Sequence, residues 1–252
     1  MKIICELILM FYIYGFAGWI LEIIYNYIIS KKIVNRGFLI GPIIPIYGVG
    51  SLLIHLYLSR YQSDAFVLFV MTMFICGTLE YITSYLMEKI FKNRWWDYTD
   101  MRFQINGRVC LENCILFGLG GLISVYLINP YLVPLISSIP IKINYIITGI
   151  LTIIFIVDII VSFNIIIKLK NISVNIRTDS TEVLTKKVKE ILINKTYPYR
   201  RLLMSFPDMK VFNKLSILKD KLRITRKEIK AEKEKSRKLS FNLLKNRKKK
   251  VK

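Results

Sequence analysis

The sequence predicts an all-α, polytopic membrane helix bundle with about five transmembrane helices and a basic, partly helical cytoplasmic tail. Apolar residues make up 54% of the chain and the mean hydropathy is +0.43. Five apolar windows reach the length of about 20 residues that crosses a hydrocarbon layer of about 30 Å. The net charge of +21 is concentrated at the C-terminal end. These observations divide the chain into a transmembrane domain, 1–170, and a tail, 171–252.

The first apolar window is too long for a cleaved signal peptide. Glu6 and Glu22 also interrupt it, so we expect it to remain in the protein as a helix. The other windows are separated by short polar or basic connections. The predicted spans cover approximately residues 4–29, 39–59, 65–90, 109–128 and 143–167.

Basic residues in the connections predict the orientation. The first and third connections are rich in Lys and Arg, whereas the second has only Arg60 and the fourth only Lys142. Because cytoplasmic loops carry the excess of Lys and Arg, this alternation predicts an external N-terminus and a cytoplasmic tail. We expect a multi-pass protein of the cell membrane.

Two stretches 58 positions apart match without a gap, and each has one acid in apolar sequence with one arginine fourteen residues later. A duplicated helix-and-loop unit with acids inside the membrane is typical of a transport pathway. The alternative is a chance likeness between two membrane helices in an Ile-, Tyr- and Lys-rich chain. The matching positions are Leu21-Glu22 with Leu79-Glu80, Tyr27 with Tyr85, Lys31 with Lys89, and Asn35-Arg36 with Asn93-Arg94.

Four acids lie within the predicted spans, where a charged side chain costs about 2.5–3.5 kcal/mol at the centre of the bilayer. We expect them on the cytoplasmic half, with three arginines as counter-charges. One reading is a polar cavity through which an ion or small solute passes; the other is a set of structural pairs that fix helix register. Arg108 is expected to share a helix face with Glu112. The acids are Glu22, Glu80, Glu112 and Asp158, and the arginines are Arg36, Arg94 and Arg108.

The second span begins with an unusual run of glycine and proline, RGFLIGPIIPIYGVG, at residues 36–50. Pro42 and Pro45 each lack a backbone donor, and the glycines permit bends or close helix contacts. The run predicts either a helix that starts at a proline or a partly unwound segment. An unwound segment would expose backbone groups to a ligand.

The third connection contains Trp95-Trp96-Asp97-Tyr98 and then Asn106-Gly107. Paired Trp with Tyr at the end of a span is typical of an aromatic belt at the membrane surface. Asn-Gly is a turn signal before the next span. A belt and a turn explain most of this connection without a binding role.

The remaining residues predict neither a metal site nor an enzyme. His55 is the only histidine and lies near the outer end of the second span, away from the acids. No Ser/His/Asp or Cys/His set is visible, and we expect no cofactor. The four cysteines are interpreted as small apolar packing residues: Cys5, Cys76, Cys110 and Cys114.

The tail holds 25 of the 38 Lys and Arg residues and 8 of the 17 Asp and Glu residues, a net charge of +17. Anionic lipid headgroups attract such a segment at about 1 kcal/mol per basic residue. A protein partner is the alternative, and nucleic acid is disfavoured because no aromatic-interleaved patch is present. Weak helical periodicity runs through 181–192 and 211–229, and residues 245–252 are predicted to be disordered.

Three motifs in order, GPIIPIYGVG, a Leu-Glu span followed by WWDY, and NGRVCLE, resemble the bacterial membrane-protein family described as putative ABC-transporter type IV. The resemblance covers about residues 10–165. It implies a permease subunit of an ABC-type transporter, in an oligomeric assembly. The motif positions are Gly41, Pro42, Pro45, Tyr47, Gly48, Trp95, Trp96, Asp97, Tyr98, Asn106 and Gly107.

A nucleotide-binding loop of the form GxxxxGK[ST] does not occur in the 252 residues, so a permease of this kind would need a separate ATPase subunit. The alternative function is a membrane scaffold whose basic tail binds lipid headgroups or a cytoplasmic partner.

Overall fold

The computed structural model describes residues 2–31, 33–175, 185–186, 190, 201, 204–206 and 210–211. Its architecture confirms the predicted all-α membrane helix bundle. The helices are α1 (Lys2–Ser30), α2 (Pro45–Leu53), α3 (Ala65–Phe91), α4 (Leu111–Ile123), α5 (Asn129–Ser138) and α6 (Ile141–Asn175). A π-helical turn at Ile54–Leu58 and a 3₁₀ turn at Ser59–Tyr61 extend α2, and a second π-helical turn at Ser124–Ile128 joins α4 to α5.

Four helical stretches in the described part of the chain are long and apolar enough to cross a membrane. They are Lys2–Ile28, Ala65–Phe91, Leu111–Ser138 and Ile141–Lys168. The predicted fourth span, 109–128, continues to Ser138 because the π-helical turn carries the helix on into the proline-containing α5. The predicted second span, 39–59, is shorter as a helix because it begins only at Pro45.

Residues 33–44, which we term the unwound segment, precede α2 without helical structure. Pro45 occupies the first helical position, where its fixed φ favours the start of a helix and its missing N–H costs nothing. The two alternatives predicted for this region therefore occur together. The amide of Ile44 donates to the Gly15 carbonyl of α1 at 3.0 Å, which ties the end of the segment to the bundle.

Glycines bring neighbouring helices into close contact. A Cβ atom at Gly18 of α1 would overlap the Tyr47 ring of α2. A Cβ atom at Gly121 of α4 would lie 2.5 Å from the Thr72 side chain of α3. Small residues at such crossings allow the close backbone approach on which packing in a membrane depends.

The outer face of the bundle is apolar. On α6, Ile153 is 65% exposed and Ile146 is 61% exposed, and similar side chains cover the outer faces of α1 and α3. Continuous exposed apolar surface of this kind suits contact with lipid chains rather than with water.

Four short strands of the described residues lie at one end of the bundle, which we term the loop end. They are β1 (Asn93–Arg94), β2 (Gln104–Ile105), β3 (Val109–Cys110) and β4 (Lys210–Val211). β2 and β3 form an antiparallel hairpin, and the predicted turn between them contains Asn106 and Gly107, both with positive φ. β1 pairs antiparallel with β4, so part of the tail docks on the membrane domain.

An aromatic cluster at the loop end joins the unwound segment, α3 and α6. The Phe38 ring lies 5.4–5.7 Å from those of Phe91, Trp95 and Phe163. Trp95 is 2% exposed. The predicted aromatic belt is therefore wrong for Trp95, because the chain after α3 turns this indole into the protein, where its apolar area is buried among other rings.

The predicted helical periodicity at 181–192 and 211–229 falls almost entirely outside the described residues, and the predicted disorder at 245–252 falls wholly outside them.

Candidate functional site: polar side chains inside the bundle

The first acid of the duplicated unit lies between an arginine and a tyrosine. The Arg36 guanidinium donates to Glu22 Oε2 at 3.1 Å, and the Tyr47 hydroxyl donates to Glu22 Oε1 at 2.9 Å. Both members of the ion pair are partly buried. Two charge-assisted bonds therefore satisfy both oxygens of this carboxylate.

The second acid lies deeper and has a different environment. Glu80 on α3 is 6% exposed. Its Oε1 accepts from the Tyr98 hydroxyl at 3.1 Å and from the Asn113 amide at 3.4 Å, and that amide also donates to the Tyr98 oxygen at 2.7 Å. Its Oε2 has no hydrogen-bond partner among the described residues.

Tyr98 comes from the connection after α3, and a backbone bond from its amide to the Gly107 carbonyl, 2.9 Å long, holds it there. Burial raises the pKa of Tyr98 well above its usual value, and the neighbouring Glu80 carboxylate raises it further. Tyr98 is therefore a hydroxyl donor at every physiological pH.

Tyr47 connects the two acids. Its hydroxyl bonds to Glu22, and it lies close enough to Glu80 and Tyr98 to interact with both electrostatically. We use the term polar network for the resulting group, which crosses from α1 through α2 to α3 and α4: Glu22, Arg36, Tyr47, Glu80, Tyr98 and Asn113.

Asp158 on α6 does not join this network, and instead holds the unwound segment. Its Oδ1 accepts from the Ile40 amide at 3.0 Å, and its Oδ2 accepts from the Gly41 amide at 2.8 Å. The Ser162 hydroxyl also donates to Oδ1, at 3.0 Å. A Cβ atom at position 41 would lie 2.7 Å from Oδ2, so the approach depends on glycine.

The other two predicted counter-charges meet on an acid that the sequence reasoning missed. Arg94 lies 2.9 Å and Arg108 lies 3.1 Å from Glu88 Oε2, and Arg94 also approaches Asp97 Oδ1 at 3.4 Å. Glu88 lies three residues before Phe91, the last residue of α3, which is less than one helical turn. Because Glu88 lies only six residues before Arg94, it could have been predicted as the partner of this arginine. The fourteen-residue spacing directed attention to Glu80 instead.

The prediction that Arg108 shares a helix face with Glu112 is wrong. α4 begins at Leu111, so Arg108 precedes the helix and the helical four-residue spacing does not apply to the pair. Arg108 instead lies over the rings of Tyr81 and Tyr85, at 5.8 and 5.4 Å. Glu112 is exposed in the first turn of α4, where a negative charge complements the helix dipole.

The two copies of the duplicated unit share one further contact. Lys31 lies 5.9 Å from the Tyr27 ring centroid, and Lys89 lies 5.8 Å from that of Tyr85. They differ at the acids, since Glu22 binds its arginine and Glu80 binds Tyr98 and Asn113.

The remaining family-motif positions hold the backbone around these side chains. The Trp96 indole donates to the Arg108 carbonyl at 3.1 Å, and a Cβ atom at Gly107 would overlap Asp97. A Cβ atom at Gly48 would overlap Phe11 of α1, so the close contact there depends on glycine. Pro42 is exposed in the unwound segment.

At the opposite end of the bundle, His55 lies in the π-helical turn after α2. It borders a small cavity with Glu6 and Met10, and its Nδ1 has no partner among the described residues. Among the residues that the structure describes, no three His, Cys, Asp or Glu side chains are grouped closely enough to hold a metal ion.

The family model described as putative ABC-transporter type IV matches residues 9–163, which cover nearly all of the helix bundle. No curated protein matches the chain, and no solved structure matches it.

Proposed function

Because this chain belongs to the putative ABC-transporter type IV family, we propose that it is the membrane-spanning permease subunit of an ABC-type transporter. The 252 residues contain no GxxxxGK[ST] loop, and we therefore assign ATP hydrolysis to a separate subunit. In this proposal the chain itself is not an enzyme.

The observation that carries the proposal is the polar network inside an otherwise apolar bundle. Glu22 and Glu80 come from different helices, and Tyr47 donates to Glu22 and interacts electrostatically with Glu80. Polar groups inside a membrane domain are costly, and they are commonly retained where they line the route of an ion or polar solute.

Glu80 is the position in the network best suited to bind a solute. Its Oε1 is occupied by Tyr98 and Asn113, whereas its Oε2 lacks a hydrogen-bond partner among the residues described. A buried acceptor without a partner costs about 1–3 kcal/mol, which a donor on a passing solute would recover.

The loop end offers exposed apolar side chains for a partner. Phe103 is 80% exposed with a positive φ, and Ile33 is 79% exposed. We place this end in the cytoplasm on the basis of its Lys and Arg content, and propose it as the surface on which the ATPase subunit docks.

The test is affinity purification from native membranes with a tag on the N-terminus. We expect a nucleotide-binding subunit to copurify in stoichiometric amount and the complex to hydrolyse ATP. Phe103→Ser should reduce its recovery, whereas Phe66→Ser, which alters a 75% exposed phenylalanine at the other end of the bundle, should leave recovery unchanged. Recovery of the chain with no ATPase subunit would contradict the permease assignment.

A scaffold is the second candidate, and the charge of the tail favours it. A segment with a net charge of +17 next to a membrane can bind anionic lipid or recruit an acidic protein. If the purification yields a soluble partner without an ATPase, and deletion of residues 212–252 removes that partner, the scaffold is the better description.

A further inference from the structure

Three backbone carbonyls of the unwound segment converge on one guanidinium group from the tail. Arg201 Nη1 donates to the carbonyls of Asn35 at 3.3 Å and Gly37 at 3.2 Å, and its Nη2 donates to that of Phe38 at 3.3 Å. Arg201 is 3% exposed. The Ser205 hydroxyl adds a bond of 2.7 Å to the Asn35 carbonyl.

Two further contacts fix the same part of the tail. The Phe206 ring lies 5.0 Å from the Trp95 ring in an edge-on arrangement. β4 pairs with β1 in the register that sets Asn93 opposite Val211 and Arg94 opposite Lys210. Side-chain, aromatic and backbone contacts therefore agree on one docked position.

The unwound segment needs such partners because it lacks helical hydrogen bonds. Buried backbone carbonyls without a donor are costly, and the planar fork of a guanidinium can serve several carbonyls at once. Asp158 binds the amides of Ile40 and Gly41, while Arg201 binds carbonyls nearer the start of the unwound segment. The segment is thus held through both kinds of backbone group.

We propose that the segment carrying Arg201, Ser205, Phe206 and Lys210–Val211 is a tail strap that holds the unwound segment in position. The carbonyls of Asn35, Gly37 and Phe38 form a guanidinium-binding site, and the chain's own Arg201 is its ligand. Arg201 is a positioning residue. The tail strap couples the basic tail to the backbone that enters α2, whether or not the protein transports a solute.

Disulfide trapping tests whether the tail strap docks as described. In the full chain with its four native cysteines replaced by serine, Asn93→Cys with Val211→Cys should oxidise rapidly. Residues opposite each other in an antiparallel ladder have Cα atoms about 4.5–5.5 Å apart, within the range that a disulfide spans. Asn93→Cys with Lys210→Cys is the out-of-register control. Since Asn93 is buried, Arg94→Cys with Lys210→Cys provides a second in-register pair.

Equal cross-linking in and out of register, or none in either matched pair, would overturn the docked position.

Amide hydrogen exchange of the full-length protein tests what the tail strap does. In Arg201→Ala we expect exchange across residues 35–41 to accelerate roughly tenfold or more, because several charge-assisted bonds are lost. Lys186→Ala, an exposed charge loss in the same tail, should change nothing, and exchange within α3 should stay as in wild type. Added methylguanidinium at millimolar concentration should restore the protection in Arg201→Ala.

Arg201→Lys keeps the charge without the fork and should protect the segment only partly. Unchanged exchange at residues 35–41 in Arg201→Ala would refute the role of the tail strap. Faster exchange that methylguanidinium does not slow would refute the guanidinium-binding site.

Discussion

At the scale of single residues, Tyr98 decides how the second acid is held. It donates to Glu80 and accepts from Asn113, so it joins a loop to two helices through one oxygen. The first acid needs no such loop residue, because Arg36 reaches it directly. One pattern in the sequence therefore leads to two different environments.

Replacing Tyr98 with phenylalanine should destabilise the protein by about 1–3 kcal/mol, because Glu80 and Asn113 each lose a hydrogen-bond partner at a partly buried site. The measurement is thermal unfolding of the two proteins in the same detergent. Tyr131→Phe, at a site 79% exposed, is the control and should unfold like wild type. Equal midpoints for wild type and Tyr98→Phe would contradict the assigned contacts.

The loss of stability caused by Tyr98→Phe should depend on pH. Since the pKa of Tyr98 is raised in the folded protein, its contribution is complete below the unfolded value of about 10 and is lost as the pH rises toward the folded value. The difference in stability between wild type and Tyr98→Phe should therefore shrink above about pH 10. A difference that does not shrink between about pH 9 and pH 12 would contradict the raised pKa of Tyr98.

The different outcome in the two copies has a physical reason that lies in one residue. The position that matches Glu88 in the first copy is Ser30. Arg36 therefore has no nearer acid than Glu22, whereas Arg94 meets Glu88 and Asp97 first. The fourteen-residue spacing alone could predict the first pair but not the second, because it takes no account of competing partners.

At the scale of elements, helix contacts depend on which face of a helix a glycine occupies. Gly120 and Gly121 are neighbours on α4, yet a Cβ atom at position 121 would crowd Thr72, whereas one at position 120 would have no contact within 4 Å. Membrane helices approach closely through small residues, and a single methyl group is enough to separate them.

Gly121→Ala should destabilise the protein by about 1–3 kcal/mol, because the extra methyl overpacks the crossing of α3 and α4. Gly120→Ala is the matched control and should be neutral or more stable by up to about 1 kcal/mol, because alanine favours the helix. Thermal unfolding in detergent compares the two variants. If both shift the midpoint equally, position 121 does not lie at the crossing.

Hydrophobic length is the main sequence signal for the long helices, whereas their exact ends depend on local contacts. Asp64 caps α3 through its side chain and Lys92 ends that helix with positive φ. The pairing of β1 with β4 had no such signal, since two-residue strands show no periodicity and their partners lie far apart in the chain. The unwound segment was foreseen as one of two alternatives, but its anchors, Asp158 and Arg201, were not.

At the scale of the whole molecule, the basic loops, the unwound segment and the docked part of the tail meet at one end of the bundle. The opposite end has the short connection after α2 and the cavity beside His55. This polarity agrees with the distribution of Lys and Arg, from which we expect the loop end to face the cytoplasm.

Cysteine labelling in intact cells checks that orientation. In a cysteine-free background, Ser63→Cys should react with a membrane-impermeant maleimide from outside, whereas Thr99→Cys should react only after permeabilisation. Both positions are exposed, so access and not burial limits the reaction. Reversed labelling would place the loop end outside and would remove the cytoplasmic docking surface proposed for the ATPase subunit.

The anchoring of the unwound segment also imposes an order on biogenesis. Asp158 is made 118 residues after Ile40, and Arg201 is made 163 residues after Phe38. At a synthesis rate of about 5–20 residues per second, the time between the synthesis of Phe38 and that of Arg201 is on the order of 10–30 s. The partner of the amides is therefore synthesised first. A nascent chain that ends between Asp158 and Arg201 carries the partner of the amides but not that of the carbonyls, so its entry to α2 is only half secured.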